Sequence, residues 1–129
     1  MRRRVLRSKD IVKNIKFEPD YILKMKEVKI CRYEDAFKVP VSFDGRKMFT
    51  SDKLELVHVL LKPGELIEKH PNPIDVVFFI LSGKGTLTVE DNVYESEENS
   101  TIFVPAQLMR EWHNTGDTDL RILVIKSLA

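Results

Sequence analysis

Val76-Val77-Phe78-Phe79-Ile80-Leu81-Ser82-Gly83-Lys84-Gly85 is six apolar residues followed by a polar, glycine-rich tetrapeptide. A short continuous apolar run closed by turn residues reads as a buried β-strand. Upstream, Leu54-Glu55-Leu56-Val57-His58-Val59-Leu60-Leu61 is a second such run, ended by Pro63-Gly64. Downstream come Thr86–Val89, an Asp91-Asn92 turn, Thr101–Val104 ending at Pro105, and Leu120–Ile125. Several short strands separated by Gly, Pro and Asp turns predict an all-β sandwich or barrel.

The first 45 residues read differently. Ser8 can cap a short helix carrying Ile11, Val12 and Ile15, and Pro19 stops it. Leu23, Met25, Val28 and Ile30 then alternate, which predicts one or two added strands with a slip between them. The chain therefore divides into an N-terminal extension, residues 1–45, and a barrel, residues 46–129.

Composition narrows the function classes. The 129 residues suffice for one domain with a real core. Net charge is +1, with no basic field for nucleic acid. Arg2-Arg3-Arg4 is followed by Arg7, Lys9, Asp10 and Lys13, which argues against a secretory signal. No stretch approaches the roughly 20 apolar residues of a membrane span. The single cysteine, Cys31, has no partner in the chain, and it is expected to be a packed thiol in a reducing, cytoplasmic setting.

Two segments resemble the paired motifs of the cupin superfamily. The first motif runs Gly, five residues, His, one residue, His, three or four residues, Glu, six residues, Gly. Here Gly64 is followed after five residues by His70, Asn72 stands at the second His, Val76 at the Glu, and Gly83 closes the motif. The string from Val77 to Gly85 is similar to the family's aromatic-Val-Leu-x-Gly-x-Gly signature. The second motif has a Pro, a His five positions later and an Asn four after that. Pro105 leads here, Arg110 takes the His position and Asn114 follows, while Gln107 replaces the usual loop glycine. The resemblance covers about residues 47–126. It implies a double-stranded β-helix, a jelly-roll barrel with a pocket at one mouth, and a homodimer, as most small members are.

The substitutions change the chemistry that the resemblance implies. Three His and one Glu hold a divalent ion in the metal-binding members, and His70 alone survives of the four. Asn72 is a weak donor, Val76 none, and Arg110 is permanently cationic and repels a divalent ion. Zinc, iron and copper sites generally take three or more strong protein ligands. A metal cofactor is therefore disfavoured and none is predicted. Instead His70, Asn72 and Arg110 are expected to form a binding floor, with Trp112 and Phe78 as apolar walls. Arg110 presents a planar fork for a carboxylate or phosphate, and Trp112 a face for stacking. The competing reading pairs Arg110 with Asp75 and fills the pocket.

The other histidines are weaker candidates. Strand alternation puts Arg110, Trp112 and Asn114 on one face and turns His113 away. His58 lies mid-strand and either faces the pocket beside His70 or is a satisfied core histidine. Glu65, Glu68 and Lys69 are expected as solvated loop residues. Asn99, after Glu95-Ser96-Glu97-Glu98, can take a left-handed position usually given to Gly.

Three functions remain open. One is a metal-free module binding a small, anionic molecule, with neither nucleic acid nor membrane as partner. The second is a metal-dependent enzyme of dioxygenase, isomerase or lyase type with non-standard ligands. The third is a metal-free, isomerase-like enzyme with His70 as general acid or base.

Overall fold

The computed structural model describes residues 27–128. Two compact units divide the chain, Met1–Ile30 and Cys31–Ala129, and the second carries the described elements. It opens with a 3-10 turn, Tyr33–Asp35, and continues through ten strands. These are β1 Phe37–Lys38, β2 Asp44–Thr50, β3 Leu54–Leu61, β4 Leu66–His70, β5 Val76–Ser82, β6 Thr86–Val89, β7 Asn92–Glu95, β8 Thr101–Val104, β9 Arg110–His113 and β10 Leu120–Ser127. The all-β expectation is met, and the strands form the two antiparallel sheets of a double-stranded β-helix.

One sheet has six strands in the order β1-β2-β3-β10-β5-β8, the other four in the order β4-β9-β6-β7. Period-two alternation assigns each residue to a face. On β5, Val76, Phe78 and Ile80 are buried while Val77, Phe79 and Leu81 are not. On β10, Leu120, Ile122 and Val124 are buried in the same way. These side chains meet Leu61, Leu87, Val104 and Trp112 in one core. Each fully buried aliphatic side chain there is worth about 1.5–3 kcal/mol.

Turn chemistry fixes the connections. Gly83 has φ 87, and a Cβ there would lie 2.4 Å from the Asp119 carbonyl oxygen. Only glycine permits that approach of the β5–β6 turn to the segment before β10. The Gly83 amide donates to Glu98 Oε1 at 2.9 Å. Ser96 Oγ both accepts from the Gly85 amide and donates to its carbonyl, each at 3.0 Å. Asn99 is left-handed at φ 59, as expected, and Gln107 takes φ 72 in the loop where a glycine is usual. The β6–β7 turn is Glu90-Asp91, one residue earlier than the sequence suggested.

The expected helix over Ser8, Ile11, Val12 and Ile15, and the alternation at Leu23 and Met25, lie outside the described residues. Other expectations are corrected. Val28 and Ile30 are in no strand and are 87% and 88% exposed. Cys31 is an exposed thiol rather than a packed one. Glu68 and Lys69 lie on β4 rather than in a loop. β1 and the start of β2 pair into the six-stranded sheet. Among the described residues no helix is long and apolar enough to cross a membrane.

Candidate functional site

Three rows of side chains cross the inner face of the six-stranded sheet. Strand register places Gly45, Val59, Ile122 and Ile80 in the first, and Lys47, Val57, Val124 and Phe78 in the second. The third row runs Glu55, Lys126, Val76 and Val104. The four-stranded sheet faces these rows with Ile67 of β4 and Trp112 of β9, which are themselves paired. The packing between the sheets is incomplete. A cavity of about 520 Å³ is lined by β2, β3, β5 and β10 on one side, β4 and β9 on the other, and the 39–43 loop. Its size lies within the range of small-molecule sites.

His70, Asn72, Arg110, Trp112 and Phe78 all line this one cavity. His70 stands directly across from Arg110 between β4 and β9, beyond a bulge after Ile67. The imidazole is exposed, and its Nδ1 lies 2.7 Å from the Glu68 carbonyl oxygen. That contact orients the ring and leaves Nε2 toward other partners. Asn72 Oδ1 accepts from the Ile74 amide at 3.2 Å, and the Asn72 carbonyl accepts from the Gln107 amide at 2.7 Å. The left-handed Gln107 is thus tied to the rim of the site. Phe78 and Trp112 meet edge to face, with ring centroids 5.4 Å apart. That arrangement leaves a ring face on each for other neighbours.

Arg110 is 2% exposed. Its Nε donates to the Leu108 carbonyl at 3.1 Å, and Nη2 donates to the carbonyls of Pro105 and Leu108 at 3.0 and 2.9 Å. Among the described residues Nη1 has no hydrogen-bond partner, nor has Trp112 Nε1. Burial pushes the Arg110 guanidinium below its ordinary pKa, yet arginine stays protonated in proteins. The pairing with Asp75 does not form. Asp75 Oδ1 instead accepts from the Ala106 amide at 2.9 Å, which shapes the loop leading to Arg110. Each buried donor left without a partner costs about 1–3 kcal/mol.

Asn114, the residue after β9, is buried but serves structure. Its Nδ2 donates to the carbonyls of Leu61 and Thr118, and Oδ1 accepts from the Gly116 amide. His113 faces away, and it does not line the cavity. Sequence reasoning missed Lys47, Glu55 and Lys126, which also line it. Two of them carried a signal: Glu55 is in phase with Val57 and Val59, and Lys126 with Ile122 and Val124. Lys47 Nζ lies 3.4 Å from Glu55 Oε1, and Lys126 Nζ 3.6 Å from Oε2.

His58 is not part of the cavity. It sits between Val57 and Val59, both cavity residues, so alternation turns it to the outer face of the sheet. There it lies beneath Tyr33, with ring centroids 4.8 Å apart. The guanidiniums of Arg46 and Arg121 lie 4.8 and 5.6 Å from the Tyr33 centroid. Tyr33 Oη donates to Asp44 Oδ2, and Arg46 Nε to Asp44 Oδ1 at 2.8 Å. Burial works against the Asp44 charge, but the hydrogen bonds from Tyr33 and Arg46 outweigh it and hold this carboxyl below its ordinary pKa. Burial, and then the Arg121 charge, push His58 below its own.

Among the described residues no three His, Cys, Asp or Glu side chains come together as a metal ligand set. The family model described as a cupin domain matches residues 57–126, more than half of the chain. The chain is 34% identical over 70 residues to a 5-nitrosalicylic acid 1,2-dioxygenase of Bradyrhizobium sp, which is 54% of this chain and 34% of that protein. The chain thus spans about a third of that relative's length. Among solved structures, a predicted oxalate decarboxylase of Thermotoga maritima is 17% identical and superposes with a TM-score of 0.71, over 78% of this chain and 100% of that one. An RmlC-like cupin family protein of Methanocaldococcus jannaschii, 24% identical, superposes with a TM-score of 0.67 over 78% of this chain and 90% of the other. Both likenesses concern the fold. With motifs, topology and family model all falling on the stretch from β3 to β10, the chain belongs to the cupin family.

Proposed function

We propose that this protein is a small-molecule-binding cupin whose cavity takes an anionic ligand without a metal. The observation that carries the reading is Arg110, a buried guanidinium at a position where the family places a metal ligand, with Nη1 unpartnered among the described residues. Among the described residues no carboxylate pairs with it. A ligand carboxylate or phosphate completes its donors, with Asn72 and His70 at the rim and Trp112 and Phe78 against the apolar body. A divalent ion in the family's geometry does not suit these residues: His70 is one ligand, Asn72 a weak donor, Val76 none, and Arg110 repels it.

The test is thermal unfolding with benzoate, a monoanion with an apolar ring, on the wild type and on Arg110→Met. Benzoate raises the wild-type midpoint and leaves that of the variant unmoved. Equal shifts in both proteins would remove Arg110 from the site. The likeness to a dioxygenase favours a second reading, a metal-dependent enzyme with non-standard ligands. Elemental analysis of protein purified without chelator separates the two. A near-stoichiometric transition metal that disappears in His70→Ala would establish the second reading and sink the first.

A further inference from the structure

The polar groups of the cavity fall on both sheets. Arg110 stands on β9 of the four-stranded sheet. Lys47, Glu55 and Lys126 stand on β2, β3 and β10 of the six-stranded sheet, which closes the opposite side. Register makes this placement firm. Glu55 is the direct cross-strand partner of Lys126, and Lys126 is also paired with Val76, whose side chain is 1% exposed in the core. Alternation therefore turns Lys126 inward with Val124 and Ile122. The side chain of Glu55 is 14% exposed and that of Lys126 27%.

The charges do not cancel. Glu55 faces two ammonium groups, at 3.4 and 3.6 Å, so the cluster keeps one net positive charge. Arg110 adds another on the facing sheet. Val57, Val124, Phe78 and Trp112 also line the cavity and offer no charge, and β4 adds Glu68 and Lys69, one charge of each sign. Facing sheets pack with about 10 Å between their backbones, so a short molecule reaches from one to the other. A monoanion on Arg110 leaves the net positive charge of the Lys47, Glu55 and Lys126 cluster unmatched. A molecule with an acidic group at each end and an apolar middle satisfies both.

We propose that the ligand of this cavity is a compact dianion, such as an aromatic dicarboxylate. One acidic group binds Arg110, and the other binds the ammonium groups of Lys47 and Lys126 that Glu55 holds in place. This rests on the cavity being the binding site, as proposed above, and adds the second pole and the chemical class it selects.

Isothermal titration with terephthalate and monomethyl terephthalate tests it, because the two have the same ring and nearly the same shape but differ by one charge. On the wild type the diacid is expected to bind about tenfold more tightly than the monoester, the worth of one charge-assisted contact. Lys126→Met, and independently Lys47→Met, is expected to shrink that advantage. Two variants keep the test open if one fails to fold, which circular dichroism reports. Equal wild-type affinities, or a diacid advantage that survives both variants, overturn the dianion proposal while the single-anion pocket stands. Failure of both compounds to bind the wild type overturns the pocket reading and this one together.

Discussion

At position 58 an imidazole is buried beneath the Tyr33 ring, with Nδ1 unbonded among the described residues and the Arg121 and Arg46 charges close enough to be felt. Burial, then Arg121, disfavour its protonated form. The unfolded chain, with a pKa of about 6.5 at this residue, then binds a proton more readily than the folded one. The sign follows: the stability is fully present above about pH 6.5 and is lost as pH falls toward the depressed folded value. Urea midpoints measured from about pH 7.5 down to 5.5 should therefore drop more steeply for the wild type than for His58→Phe, which keeps a ring under Tyr33 but cannot titrate. Parallel slopes would mean that His58 is protonated as easily folded as unfolded. The same position shows how little separates two fates in a strand. His58 carries the side chain that metal sites use, but one step of alternation sends it to the outer face, whereas Glu55 and Val57, in the opposite phase, reach the cavity.

Among the elements, the β5–β6 turn carries a close backbone approach. Gly83 and Gly64 have nearly the same φ, 87 and 86, but a Cβ on Gly83 meets the Asp119 carbonyl at 2.4 Å, and one on Gly64 meets nothing within 4 Å. Gly64→Ala should cost only the left-handed backbone penalty, about 1 kcal/mol. Gly83→Ala adds displacement of the segment before β10, and about 2–4 kcal/mol is expected in chemical denaturation. Equal costs would mean that the segment moves freely and that Gly83 serves conformation alone. This turn was legible because Gly83 and Gly85 follow a run of six apolar residues. β3, β5, β8 and β10 were legible for the same reason, as buried or half-buried strands bounded by turn residues. β1, β4 and β7 were not. β7 is exposed throughout at a sheet edge, and β4 carries Glu68 and Lys69 on a bulged strand, so neither shows the contrast between faces that alternation needs.

At the scale of the whole molecule, the cavity depends on two sheets closing over residues far apart in the chain. Local spacing picked out His70, Asn72 and Arg110, which line the cavity, because they occupy family motif positions. It missed Lys47, Glu55 and Lys126, because their relation to Arg110 exists only after β2, β3 and β10 are laid across from β9. The same closure leaves space unfilled, and unfilled space in a core forfeits contacts that packed atoms would make. A domain selected only for stability would close it. Val124 offers a direct test, since it sits in the middle row between Val57 and Phe78 and borders the cavity. Val124→Phe adds apolar volume where about 520 Å³ is open, so it is expected to stabilise by about 1 kcal/mol rather than overpack. For a domain of this size that raises Tm by roughly 4 °C or more. The variant should at the same time lose the benzoate-induced shift, because the ring would occupy the space that the ligand needs. A stabilised protein that no longer binds identifies the cavity as space kept open at a cost to stability. A variant that is less stable yet still binds would place the ligand elsewhere and make the gap between the sheets a packing defect.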